Sequence, residues 1–477
     1  MPLKTTYIPC SPILSPNLPP TTTSVPLADA SLIPIGVVQT VLCFDGALDE
    51  GRLKTAVHLL SGVWPTLAGR YERRKVGEEY EFAIKLTASP IPFETQTLTL
   101  AQPFPTTHVV QPSPDPFLPP LGANCHLPNH PHAHIFAIRL TSLLPSGTSV
   151  LGLQASHLID GEGKRQLLKM LDAFYTHGEA AREKMYALAG CVLPTFLPHV
   201  GPLPPYDPTW NHPVERKGHC HDLAGMISMF IAATAQSVPV VIELYRSELA
   251  FLREKYQHDI GVKLSEQDAL SAWWITLLRK VGVDVHRVMY TCNYRNFSPS
   301  HPSFPATLPS LALNAVLSFH IPIPSSSPLC STPATPAEVA KAIREGLARL
   351  RDAPDEQLCW ISAGSYQLRK AAIEGKGYDI MPDDGEVCIN SNLRMDWQVS
   401  FGFPAHQVAF HTFISLPNFL RVFRANSREG EEKGERVELS FNVADEGVKE
   451  RIMEIVEVER RAWGEVGAGL GGFEALK

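Results

Sequence analysis

The sequence predicts a mixed α/β protein, built as α+β layers in two domains. Three observations lead there. The chain has 477 residues, too many for one ordinary core and enough for two of roughly 200 residues each. Strand-like and helix-like segments come in groups rather than in strict alternation, which favours layers over a doubly wound parallel sheet. A proline-rich stretch without periodicity, LPHVGPLPPYDPTWNHPVERKGHCHD, runs from Leu197 to Asp222 and reads as a connection between domains. The expected division is a first domain over 1–198, a crossover linker over 199–222 and a second domain over 223–477.

The elements follow in order. GVVQTVLCF (Gly36–Phe44) is short and β-branched, a strand. Leu53, Val57, Leu60 and Val63 then recur at helical spacing behind acidic residues, so a helix follows. WPTLAGRY (Trp64–Tyr71) ends it, with Pro65 and Gly69 forcing a turn. HIFAIRLTSLL (His134–Leu144) and TSVLGLQASH (Thr148–His157) read as two strands around a Pro-Ser-Gly turn. The next helix starts near Lys164 and has Leu167, Leu168, Leu171, Phe174 and Tyr175 as its apolar face. Past the linker, VPVVIELYRSELAFLREKY and LSEQDALSAWWITLLRKVG read as two amphipathic helices, the second capped by Ser265 with Asp268 three residues on. HRVMYTCNY, LNAVLSFHIPI, GEVCINSN, HQVAFHTF and ERVELSFNV read as strands; AEVAKAIREGLARL and VKERIMEIVEVERRAW read as helices. SREGEEKGER (Ser427–Arg436) is expected as a solvated hairpin tip, and no repeat of solenoid period occurs.

Composition narrows the function classes. Hydrophobic residues make up 44% and charged residues 19%, as in a globular chain. A net charge of −7 without a long basic run argues against a nucleic-acid binder. Nine cysteines, an odd number with no CxxC, suggest reduced thiols and a cytoplasmic location. No continuous apolar run opens the chain, and no run of about 18 apolar residues occurs in it, so neither a signal peptide nor a membrane span is expected.

The chemistry centres on LGLQASHLIDGEGKRQLL (Leu151–Leu168). His157 stands at a strand end before turn-forming residues, where an imidazole with an ordinary pKa near 6.5 suits general-base work. The competing reading is an ordinary strand-end histidine, one of 18 in the chain. Asp160 reads as a carboxylate that fixes the histidine loop, as the acid that caps the following helix, or as both. Gly161 and Gly163 are expected to give the chain a sharp turn. Ser156 lacks the G-x-S-x-G context of a nucleophile elbow. Cys125-His126 with His130, His132 and His134, and the His219-Cys220-His221 run, match no standard zinc spacing, so no metal site is expected. No glycine-rich phosphate loop follows a strand.

HLIDGEG resembles the HxxxDG motif of the BAHD acyltransferases, the plant and fungal superfamily that uses acyl-CoA. Further segments fall in that family's order. WPTLAGRY looks like YPxLAGR, SEQDALSAWWITLLRKV is similar to the helix with D-x-L-x-A-x-x-W, and TCNYRNF with Arg295 stands where the family has N/D-x-R. LNAV (Leu313–Val316) resembles G-N-x-V, and SFGFP (Ser400–Pro404) falls where DFGWG stands. The resemblance spans about residues 36 to 410. It implies two similar chloramphenicol-acetyltransferase-like domains, mixed sheets flanked by helices, with a channel between them and a segment near 360–400 packed on the first domain. It implies a monomeric acyltransferase of secondary metabolism that takes acyl-CoA as co-substrate, with no bound cofactor and no partner beyond a small alcohol or amine acceptor. His157 would be the general base. Asp160 would be a structural carboxylate paired with Arg295, supported by Gly161, and Ser400, Phe401 and Gly402 would form a structural loop by the channel. The sequence departs from the family at three places. Two residues, Leu158 and Ile159, separate His157 from Asp160 where the family has three; Ser400 and Pro404 replace an acid and a glycine; and serine precedes His157. The short spacing keeps a second reading open, a homologue that binds acyl-CoA or a metabolite without turnover. A condensation enzyme fed by a carrier protein ranks third, because the first histidine of its HHxxxDG motif is absent.

Overall fold

The computed structural model describes residues 2–12, 21–27, 29–32, 37–100, 108–120, 133–156, 159–188, 223–293, 316–324, 334–376, 382–413, 416–432 and 434–469. His157, Arg295, Leu313–Ala315, the 199–222 linker, and the Cys125–His132 and His219–His221 runs lie outside the described residues.

The first half opens with β1 (Lys4–Ile8) and β2 (Ser24–Pro26). β3 (Val37–Phe44) leads to α1 (Glu50–Val63), whose first turn is capped by Asp49 accepting from Arg52 N at 2.8 Å. Leu53, Val57, Leu60 and Val63 are buried, as their spacing requires. WPTLAGRY closes the helix as a 3-10 turn over Pro65–Ala68 and enters the hairpin β4 (Arg70–Val76) and β5 (Glu79–Lys85). Gly69 does not make this turn by unusual dihedrals, since its φ is −85°. It is needed for close approach: a Cβ there would lie 2.3 Å from Ile84 Cγ2 and 2.9 Å from the Lys85 carbonyl. β6 (Ile91–Thr99), the two-residue β7 (Val110–Gln111), β8 (Phe136–Leu144) and β9 (Ser149–Ser156) follow, and Gly147 supplies a φ of +74° in the β8–β9 turn. α2 (Gly161–His177) and α3 (Arg182–Leu188) end this half.

The second half begins with α4 (Leu223–Ala235). VPVVIELYRSELAFLREKY, expected as one helix, divides into β10 (Val238–Tyr245) and α5 (Arg246–Ile260). Val240, Ile242 and Leu244 are buried at period two, which is strand packing, and the helix starts only where Glu248 caps the Tyr245 N–H at 2.7 Å. α6 (Glu266–Lys280) carries the expected Ser265–Asp268 capping box. β11 (Arg287–Asn293), β12 (Val316–Pro322), α7 (Pro336–Asp352), α8 (Pro354–Glu374) and β13 (Glu386–Ser391) come next. β14 (Val408–Phe413), β15 (Phe419–Arg424), β16 (Arg436–Val443) and α9 (Glu446–Gly469) complete the chain.

Two mixed sheets result. The first runs β1-β6-β8-β9-β3-β14-β7, and the second runs β10-β16-β15-β13-β11-β12. The second half thus donates β14 to the first sheet, antiparallel to β3 with His411 opposite Val41. A small sheet, β2-β5-β4, meets α8, where Arg73 donates to the Ile373 carbonyl at 2.9 Å and Arg369 to the Tyr80 carbonyl. One hydrophobic core includes residues of both halves, so apolar burial ties the halves together. Among the described residues, Cys10, Cys43 and Cys292 are free thiols, and no helix is long and apolar enough to cross a membrane.

Candidate active site

β9 delivers the motif. Leu151, Leu153 and Ala155 face the shared core, while the Ser156 N–H donates to the Ile135 carbonyl at 2.7 Å on β8's approach. The Ile159 N–H turns back onto the Ser156 carbonyl at 3.2 Å, and Ile159 is buried. Asp160, also buried, is the N-cap of α2; its Oδ1 accepts from Gly163 N at 2.9 Å. The chain on either side of His157 and Leu158 is therefore anchored, to β8 before and to the helix cap after. Gly161 and Gly163 make no left-handed turn, because neither has a positive φ. They form the first helical turn itself, which starts three residues earlier than the apolar stripe suggests. A Cβ on Gly161 would stand in ordinary contact, 3.6 Å from Asn392 Oδ1 and 3.8 Å from the Trp397 ring. The Ser156 hydroxyl is buried, with no hydrogen-bond partner among the described residues.

The helix that follows is braced along its length by residues 392–403 of the second half. The Lys164 ammonium lies 5.9 Å from the Trp397 ring centroid. Lys169 pairs with Asp396 at 3.2 Å and donates to the Gln398 carbonyl. Asp172 accepts from Ser400 N at 3.1 Å and Phe401 N at 2.6 Å, and so holds a turn in which Phe401 and Gly402 have φ of 49° and 88°. The Phe401 ring packs on Tyr175 and Phe44, with centroids 5.2 and 5.3 Å away. Asp172 sits twelve residues beyond Asp160, about 18 Å along the helix. Ser400, Phe401 and Gly402 thus brace the far part of α2 rather than meeting its N-terminus. Asp172→Ala removes a charged acceptor from two backbone donors and is expected to cost about 2–3 kcal/mol, read as a lower urea midpoint.

Beside the α2 N-terminus the seam between the halves holds buried charge. Lys164 is 5% exposed and donates to the Gln39 carbonyl of β3 at 2.6 Å. Thr412 of β14 reaches the same carbonyl at 3.4 Å. Arg421 of β15 donates to the Phe413 carbonyl at 2.6 Å and to Thr412 Oγ1 at 3.3 Å. Burial, and then the Arg421 charge, hold the Lys164 amine well below its ordinary pKa. Burial lowers Arg421 to about 10 against the pull of Glu438. Buried His411 is lowered to about 4, chiefly by desolvation, and its Nδ1 meets the His108 carbonyl at 2.9 Å; it is a neutral donor. His134 of the histidine-rich run lies 3.0 Å from the Arg70 guanidinium, and burial followed by that charge lowers it to about 4. Lys164 was readable in principle, because residues 164, 168, 171 and 175 share one stripe of α2. Glu438 was not readable. It accepts from Val109 N at 2.6 Å and Val110 N at 2.9 Å, joining segments remote in sequence.

No family model matches the sequence, and no curated protein matches it. Solved structures do match the fold. TRI101 of F. sporotrichioides, complexed with coenzyme A and T-2, superposes with a TM-score of 0.62 at 13% identity, over 92% of this chain and 98% of that one. TRI101 of F. graminearum, complexed with coenzyme A and deoxynivalenol, gives 0.60 at 12% identity over 93% and 99%. Vinorine synthase gives 0.56 at 15% identity over 94% and 96%. Two helix-flanked mixed sheets, joined by a shared core and a donated strand, give this chain the fold of TRI101 and vinorine synthase.

Proposed function

We propose that the protein moves an acyl group from acyl-CoA to a hydroxyl or amine of a small metabolite, with His157 as general base. The observation that carries the reading is the HLIDG segment leaving a buried strand at the seam of a fold whose TRI101 examples are complexed with coenzyme A and T-2. His157 takes the acceptor proton, the freed nucleophile attacks the thioester carbonyl, and the tetrahedral intermediate collapses. The C–S bond breaks, and the CoA thiolate leaves with a proton from the imidazolium. The thioester is already activated, so no acyl-enzyme forms. Acyl-CoA is a co-substrate, no resident cofactor is required, and the protein acts as a cytoplasmic monomer of secondary metabolism, divided at 1–198, 199–222 and 223–477.

Asp160 has two tasks in this account, the helix cap and an ion pair with Arg295. Asparagine caps as well as aspartate does, so Asp160→Asn isolates the charge and Asp160→Ala removes cap and charge together. Both variants should melt lower, the alanine by about 1 kcal/mol more; an unchanged Asp160→Asn melting curve would remove the Arg295 pairing. The two-residue spacing between His157 and Asp160 favours the second reading, a homologue that binds without turnover. Acyl-CoA panels with an acceptor library and a thiol reagent separate the two. Acceptor-dependent thiol release is expected; CoA binding without release with any acceptor would favour the binder.

A further inference from the structure

A second group of polar residues lies on the seam and takes no part in the proposed chemistry. His108 precedes β7, Glu243 lies on β10, and Glu438 stands opposite it on β16. The His108 Nδ1 is 3.8 Å from Glu243 Oε1 and 3.7 Å from Glu438 Oε2. Both separations are too long for hydrogen bonds. Both His108 Nδ1 and Glu243 Oε1 are shielded from solvent and have no hydrogen-bond partner among the described residues. A shielded polar atom without a partner is costly, and here two such atoms face each other beside a third acceptor.

The rest of the group is engaged. Glu243 Oε2 accepts from Arg428 at 2.9 Å and Arg436 at 2.5 Å, and Arg436 is in turn paired with Glu431. The two Glu438 oxygens accept from the Val109 and Val110 N–H groups. These bonds fix both carboxylates and leave one oxygen of Glu243 unused.

We propose that His108, Glu243 and Glu438 form a binding site for a divalent transition-metal ion of the zinc type. One imidazole and two carboxylates are a zinc donor set that leaves a fourth position for water. Ligands at about 2.1 Å in a tetrahedron stand about 3.4 Å apart; the His108 nitrogen needs to close on each carboxylate oxygen by only a few tenths of an ångström, and the three ligand atoms all lie within 4.8 Å of one another. Arg428 and Arg436 contact the oxygen that faces away from the ion, as outer partners that orient a metal-bound carboxylate do. Two carboxylates face the His108 Nδ1, and Arg428 and Arg436 both contact the Glu243 oxygen turned away from it. The wider surroundings are balanced by Arg421 beyond Glu438 and by neutral His411. A bound ion would tie the entry of β7 to two strands of the second sheet.

The test uses the full-length protein, stripped with chelator and titrated with Zn²⁺ by calorimetry and Co²⁺ by absorption. One equivalent is expected, with a cobalt d–d spectrum free of thiolate charge transfer and a melting temperature that rises with Zn²⁺. His108→Ala and Glu243→Gln should each weaken binding at least about tenfold, while His406→Ala on an exposed loop leaves it unchanged. Binding that survives both substitutions, a thiolate cobalt spectrum, or no binding at millimolar ion would overturn the site and leave a proton-linked ion-pair group.

Discussion

Replacing His157 with alanine is expected to slow acyl transfer by about a hundred- to ten-thousandfold and to leave coenzyme A affinity unchanged. The split follows from what the side chain is asked to do. An alcohol or amine attacks a thioester slowly until its proton has somewhere to go, and an imidazole supplies that destination only in the transition state. Donor binding depends on the walls around it and does not need the base. Only the neutral imidazole can take the acceptor proton, so kcat/KM should fall at acidic pH. Single-turnover thiol release and calorimetric CoA titration measure the two quantities separately. Retained turnover in the variant would take His157 out of the base role.

Gly152→Ala should cost about 3 kcal/mol or more of stability. Gly152 lies in the middle of β9, opposite Val41 on β3 and Arg139 on β8. Residues 116–118 cross directly over it. A Cβ would stand 1.9 Å from the Phe117 carbonyl oxygen, 2.9 Å from its carbon and 3.2 Å from Leu118 Cδ2. That backbone has little room to retreat, because the neighbouring Pro116 carbonyl accepts from Arg139 at 2.7 Å and from Gln96 at 3.0 Å. Either the crossing segment lifts or β9 shifts, and β9 ends at Ser156, one residue before the candidate base. Against a total of about 5–15 kcal/mol for an ordinary protein, the loss should appear as a much lower urea midpoint. An unchanged midpoint would contradict the close approach.

The elements with strong local periodicity were legible in the sequence. β3, α1, β8, β9, α2 and α6 stand where alternation or helical spacing predicts them, and the Ser265 cap is present. VPVVIELY was misread because a β-branched run of eight residues followed by a helix looks like one longer amphipathic segment. The strand PNFLRVFR and the helix over QLCWISAGSYQLRKAAIE went unassigned, their character set by packing rather than pattern. The site divides in the same way. The Asp160 cap is a three-residue interaction and could be read locally. The hold of Asp172 on Ser400 and Phe401, the meeting of Lys164 and Thr412 on Gln39, and the approach of His108 to Glu243 and Glu438 join residues more than a hundred positions apart. No spacing rule within a segment encodes them; they exist only in the folded chain.

The most direct measurement is a crystal structure of the protein with coenzyme A bound. The pantetheine thiol is expected at the seam where β9 ends and α2 begins, with the His157 imidazole in reach of both the thiol and an acceptor pocket. A His157 ring turned away from that seam, or coenzyme A bound elsewhere, would contradict it.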